Sequence, residues 1–392
     1  MRALRIDRRV ARFASARVAG MLAPGSGAKW GPLELDDVAA PTLPGPDWVH
    51  IRPRLSGICG SDLSTVDGVA SRYFEPIVSF PFTPGHEVVA DTHDGRRVVV
   101  EPVLGCVTRG ISPVCPSCAR GDLGNCERLA FGRLEAGLQT GFCCDTGGGW
   151  GTEMVAHVSQ LHDVPADMSD EDAVMVEPTA CAVHAALRVP IPAGGTVVVV
   201  GAGSLGLLTV AALRAFTAAG NIVVAARYPQ QIRFAKELGA SAVVESGELG
   251  RVVRRLTGSL AYGDQLTGGA DVVLDCVGDG STIANALQLV KPRGSVVVVG
   301  MPASVKLELT TLWHRETQLV GAYAYGTEHL HDGRTARTFD LAFELVRSAS
   351  LGRLVSATYP LKQYEDAIGH AANAGRRGAV KIAFDLRHER KR

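Results

Sequence analysis

Residues 201–206 read Gly-Ala-Gly-Ser-Leu-Gly, between the apolar run 196–200 (TVVVV) and the helix-forming stretch 207–216 (LLTVAALRAF). No other feature constrains the fold as much. At a strand-to-helix junction, G-x-G-x-x-G gives each glycine a task. Gly201 permits the tight turn, Gly203 lets a pyrophosphate approach the backbone, and Gly206 packs the helix on the sheet. The first helical turn, with Ser204 and Leu205, offers unpaired N–H groups to phosphate. In this setting the loop predicts a dinucleotide-binding domain. The next strand ends VVAARYPQQIR. Where NAD sites place an acid for the ribose diol, this chain has Ala225 and Ala226, then Arg227. With no carboxylate to repel a 2′-phosphate and a guanidinium to pair with it, the expected cofactor is NADP rather than NAD.

Around the loop, strands alternate with helices: 196–201, about 204–219, NIVVAA, PQQIRFAKELGA, ADVVLDCVG, STIANALQLVKP and GSVVVVGMP. This alternation predicts an α/β domain with a doubly wound parallel sheet of Rossmann type over 186–325. Residues 1–185 have another texture, short Val/Ile runs broken by Gly and Pro, and predict a mostly antiparallel β domain. Two domains suit 392 residues.

Composition narrows the function classes. Forty Lys and Arg balance forty Asp and Glu, so no global charge attracts nucleic acid or an anionic membrane. Residues 191–213 carry no charge, but Pro192 and five glycines rule out one continuous spanning helix. The basic N-terminus lacks the apolar core of a secretory signal, and the expected compartment is the cytoplasm. There the nine cysteines point to metal ligation before disulfides.

GICGSD (57–62) supplies Cys59, PGHE (84–87) supplies His86 and Glu87, and VEP (176–178) supplies Glu177. Each has a plain structural reading alone. Together, sulfur, nitrogen and oxygen ligands with an open fourth position describe a catalytic zinc.

In order along the chain, GICGSDL, PGHEVV, a cysteine-rich lobe, VEPTACAVHA, VVVVGAGSLG, DVVLDCVG and GAVKIAFD resemble the zinc-containing medium-chain dehydrogenase/reductase family. The resemblance implies a GroES-like catalytic domain over 1–185, completed by 326–392, beside the Rossmann domain. It matches Cys59 and His86 to zinc ligands and Glu177 to a position that is Glu in polyol-type members. Glu87 approaches the zinc in some members, so the third ligand is Glu87 or Glu177. Asp62 matches the carboxylate that orients the ligand histidine, and Ser61 the hydroxyl of the proton relay. Val277 and Val299 match positions near the nicotinamide.

Cys115, Cys118 and Cys126 match three ligands of the family's structural zinc. Ser112 stands where the fourth belongs, and Cys106, nine residues before Cys115, is the nearby replacement. The expectation is two zinc ions per chain. The position two residues after Asp62, often a histidine in the family, is Ser64, and the stretch 20–47 is longer than the family pattern. Cys143, Cys144, His157, His162 and His184 read as structural.

The implied activity is hydride transfer between NADP(H) and an alcohol or carbonyl, with a polyol, sugar or cyclitol secondary alcohol as substrate. Zinc acts as Lewis acid on the substrate oxygen. The resemblance also implies a homodimer or homotetramer. The rivals are a zinc-independent quinone or enoyl reductase and a non-catalytic nucleotide-binding protein on the same fold.

Overall fold

The computed structural model describes residues 1–263 and 265–389. They form two compact units: Met1–Glu177 with the chain from Ser350 onward, and Pro178–Ala349. These bounds differ from the 185/186 and 325/326 divisions expected from sequence texture. The helix Thr338–Ala349 buries Leu341, Ala342, Leu345 and Val346 and packs on the helix Ser204–Phe216, so its apolar face places it with the second unit.

In that unit, six parallel strands form one sheet in the order Ala242–Val244, Asn221–Ala225, Thr196–Val200, Ala270–Asp275, Val290–Val298, Gln318–Gly321. In chain order this is 3-2-1-4-5-6, with the direction of winding reversed between Thr196–Val200 and Ala270–Asp275. Val200 pairs with Ala225 and Asp275, and Asp275 with Val298. The segments that follow these strands therefore leave one edge of the sheet together. They are the glycine loop, Ala226–Arg227, Cys276–Gly278 and Val299–Gly300. Val197–Val200 are buried, as expected of a strand covered on both faces. Gly206–Leu213 and Phe216 of the following helix are buried too, which is why 196–200 and 206–213 carry no charge. Among the described residues no helix is long and apolar enough to cross a membrane.

The first unit is built on a seven-stranded sheet, antiparallel except where Val355–Tyr359 joins Lys381–Asp385. Trp48–Gly57 is its hub and pairs with Val88–Thr92, Met154–His157 and Lys381–Asp385. The last pairing sets the C-terminal strand beside the segment leading to Cys59. The long N-terminal stretch forms a ribbon of Arg2–Ile6 and Leu33–Asp37 with the helix Val10–Leu22 between its strands. Asp67 anchors it by accepting the Gly25 and Gly27 amides at 2.8 and 2.9 Å.

Candidate metal and cofactor sites

Cys59 links the hub strand to the helix Gly60–Val66, while His86 and Glu87 lead into Val88–Thr92. Pairing of these strands brings the three together: a ligand atom from each lies within 4.8 Å of the other two. Two glycines make the room. Gly85, at φ +96°, adopts a left-handed conformation costly for other residues. A Cβ on Gly57 would stand 1.8 Å from Oε2 of Glu87.

Asp62 serves two of the three. Its Oδ2 accepts the Cys59 amide at 3.0 Å, and its Oδ1 lies 3.4 Å from Nδ1 of His86. Burial pushes the imidazole down, but Asp62 and Cys59 outweigh it and hold the pKa well above the usual value. With Nδ1 turned to Asp62, Nε2 is the nitrogen left for a metal. Ser61, half-buried, is the second residue of the same helix.

Glu177 is buried at the start of the helix Val176–Leu187 but is not part of the group around Cys59. Glu87 follows His86 directly in the chain, whereas Glu177 arrives from a different element. One residue of this site escaped the sequence reading. Lys381, buried on the C-terminal strand, bonds Glu87 Oε2 and reaches the Ile58 carbonyl at 3.3 Å. Burial pulls its ammonium down, but Glu87, Cys59 and Glu177 hold it above the ordinary value. A lone cation in the apolar run AVKIAF was the available signal.

The second cluster gathers Cys106, Cys115, Cys118 and Cys126, again within 4.8 Å of one another. Zn–S bonds of 2.3 Å in a tetrahedron require sulfurs about 3.8 Å apart; Cys106 Sγ stands 3.7 Å from Cys126 Sγ. Each sulfur also accepts a backbone N–H. Cys115 donates to Cys106 at 3.3 Å, Cys118 to Cys115 at 3.4 Å, Cys106 to Cys118 at 3.5 Å and Arg128 to Cys126 at 3.4 Å. Such bonds favour thiolates, so geometry and donor chemistry both fit zinc. Cys143, by contrast, is buried among Trp48, Leu104, Leu134 and Val155. His157, His162 and His184 bond Ser159, Glu101 and Glu328.

In the second unit the three glycines differ as their tasks require. Gly201 has φ +92°. A Cβ on Gly203 would meet nothing within 4 Å, whereas one on Gly206 would stand 1.9 Å from the Gly201 carbonyl oxygen. Gly203 caps the helix Ser204–Phe216, whose first turn carries Ser204 and Leu205. Ala226 is buried, and Arg227 beside it is exposed, its guanidinium 5.7 Å from the Tyr228 ring centroid. The amide of Val277 donates to the Asp275 carboxylate and that of Val299 to the Asp275 carbonyl, each at 2.9 Å. Sequence reasoning missed Asp275. It is fully buried and also holds the Gly278 amide and the Thr282 hydroxyl.

Residues 45–166 match the alcohol dehydrogenase GroES-like domain, and residues 204–339 the zinc-binding dehydrogenase domain. The chain is 28% identical to L-idonate 5-dehydrogenase of Vitis vinifera, over 90% of this chain and 92% of the relative. It is 30% identical to 2-dehydro-3-deoxy-L-galactonate 5-dehydrogenase of Pseudoalteromonas atlantica, over 78% and 82%. Among solved structures, a zinc-binding dehydrogenase of Sinorhizobium meliloti 1021 bound to NADP is similar with TM-score 0.68 and 25% identity, over 90% of this chain and 96% of that one.

Proposed function

Since the chain belongs to the zinc-containing medium-chain dehydrogenase family, whose members act on CH–OH groups, we propose that it transfers hydride between NADP(H) and a secondary alcohol of polyol, sugar or cyclitol type. The observation that carries this reading is the convergence of Cys59, His86 and Glu87 within 4.8 Å, backed by Asp62 and Lys381. A zinc-free reductase would leave that group without a purpose. Two sugar-acid dehydrogenases among the relatives support a polyhydroxylated substrate. Nine free cysteines suit the reducing cytoplasm. The outer strand Gln318–Gly321 leaves a ladder edge for a second copy in a homodimer or homotetramer.

The two groups bring Lewis acidity toward the alcohol oxygen and a hydride acceptor. The chain's residues hold, orient and neutralise. Cys59, His86 and Glu87 are the proposed zinc ligands, with Glu177 a nearby carboxylate. Asp62 keeps His86 in the tautomer that presents Nε2. Lys381 offsets the charge of the carboxylates and grips one oxygen of Glu87, leaving the other for the metal. Ser61 takes the alcohol proton and passes it toward solvent. In the nucleotide site, Gly203 and the amides of the following helix receive the pyrophosphate. With the amides of Val277 and Val299 engaged by Asp275, their carbonyls remain for the carboxamide of the nicotinamide.

Elemental analysis combined with an NADP- and NAD-linked screen of polyols, sugars, aminocyclitols and simple alcohols tests the function. Two zinc ions per chain and turnover of a polyhydroxylated secondary alcohol are expected. Active protein devoid of zinc, or NADP binding with no hydride transfer across the panel, contradicts the proposal.

Arg227 decides the cofactor. A charge-assisted hydrogen bond contributes roughly 1.5–3 kcal/mol, about 10- to 150-fold. The enzyme is expected to prefer NADP by that factor in kcat/KM, and Arg227→Ala to remove most of the preference. The 2′-phosphate is remote from the reacting carbon, so the loss should appear in KM for NADP with kcat little changed. Steady-state kinetics with both cofactors check this; a wild type that prefers NAD sinks it.

A further inference from the structure

Arg109 lies in the enlarged loop between Cys106 and Cys115 and is fully buried. Its guanidinium donates only to backbone carbonyls. Nε reaches Leu104 at 3.0 Å, Nη1 reaches Phe131, Leu134 and Glu135 at 3.1, 3.2 and 3.2 Å, and Nη2 reaches Gly137 at 2.6 Å. Among the described residues no carboxylate pairs with it. Buried ions are normally paired, because carbonyl dipoles offset only part of the cost of leaving water.

The groups able to offset its charge lie both in the cysteine lobe and just beyond it. Burial pulls the guanidinium below its ordinary range, and Cys143, Cys126, Asp145 and Cys106 act in the opposite sense. A divalent zinc held by four thiolates carries about two net negative charges. A loaded lobe thus adds negative charge at Cys106 and Cys126 to that of Asp145. The position also matters mechanically. Leu104 and Gly105 lead into Cys106, while 131–137 follow Cys126. Ile111 N donates to the Cys106 carbonyl at 2.9 Å and Arg133 N to the Arg109 carbonyl at 3.0 Å. The side chain thereby ties the loop of the displaced first ligand to the segment beyond the last.

We propose that Arg109 is a positioning residue for the four-cysteine site, closing the loop of Cys106 around the metal. This rests on the reading of the lobe as a zinc site. The test uses the full chain carrying Cys59→Ala, which leaves the lobe as the only proposed zinc site. Zinc per chain is measured together with the rate of zinc release to a chromophoric chelator, alone and with Arg109→Met or Arg109→Lys. Groups that support metal ligands typically alter affinity 10- to 100-fold. Zinc release from Arg109→Met is expected to be at least about 10-fold faster, with Arg109→Lys between it and the parent. The Tm difference between zinc-loaded and zinc-stripped protein is expected to shrink in the Met variant. A lower Tm with an unchanged release rate overturns the proposal, because Arg109 is then packing alone. Should Arg109→Met fail to fold, Arg109→Lys decides: release at the parent's rate overturns the proposal, and faster release supports it. A Cys59→Ala parent without zinc overturns the reading of the lobe itself, a separate failure.

Discussion

Cys59→Ala is expected to lower kcat/KM for the alcohol by about 1,000-fold or more, while NADP binding, followed by fluorescence titration, stays within a few-fold of wild type. The Lewis acid supplies several kcal/mol of transition-state stabilisation, and about 4 kcal/mol corresponds to three orders of magnitude. Without the Cys59 thiolate, only His86 and one carboxylate remain, and one oxygen of Glu87 is already bonded to Lys381. Zinc content should fall from two ions per chain to one. Folding should survive, because Asp62 accepts the backbone amide of residue 59, a bond that alanine retains. The expected signature is lost turnover and zinc with little change in Tm. Turnover near the wild-type rate would remove Cys59 from the mechanism.

Cys118→Ser is expected to have the opposite signature: a Tm lower by at least about 5 °C, loss of the other zinc, and near-normal kcat in the molecules that remain folded. Structural zinc in small domains contributes about 10–16 kcal/mol of apparent binding free energy at neutral pH, as much as the whole stability of many domains. A few kcal/mol lost at this lobe is enough for that shift. Serine cannot replace the sulfur, since its hydroxyl does not ionise near neutrality. The thiols also set a direction with pH. Burial pushes Cys126 up to about 11 and Cys118 higher, whereas backbone amides, chiefly that of Cys118, overcome burial and bring Cys115 down to about 6. Metal uptake must expel protons, so zinc retention should weaken as pH falls, more steeply below about pH 6, where Cys115 also takes up its proton. An unchanged Tm and two zinc ions in Cys118→Ser would refute the structural role of the lobe.

What was legible in the chain was what local chemistry requires. The positive φ of Gly201 and the close approach at Gly206 belong to one turn and the helix after it, so the spacing of three glycines reveals them. Strands covered on both faces read as Val runs because every side chain must be apolar. Ligand types announce themselves because few side chains bind zinc. Short elements did not read out. Ala242–Val244 is only half-buried and is a strand because Asn221–Ala225 offers it a parallel ladder.

The sequence by itself therefore determined the glycine loop, the two sets of candidate metal ligands and the class of each unit. Tertiary structure alone decided which of these meet. Strand order carried the ends of Thr196–Val200 and Ala270–Asp275 to the same edge. The pairing of Lys381–Asp385 with the hub strand brought a buried cation to Glu87, and loop closure brought Cys106 to Cys126 across 20 residues. Such contacts join groups far apart in the chain. Pairing in the fold offsets the cost of burying these charges, and nothing in the neighbouring residues encodes which partner will be there.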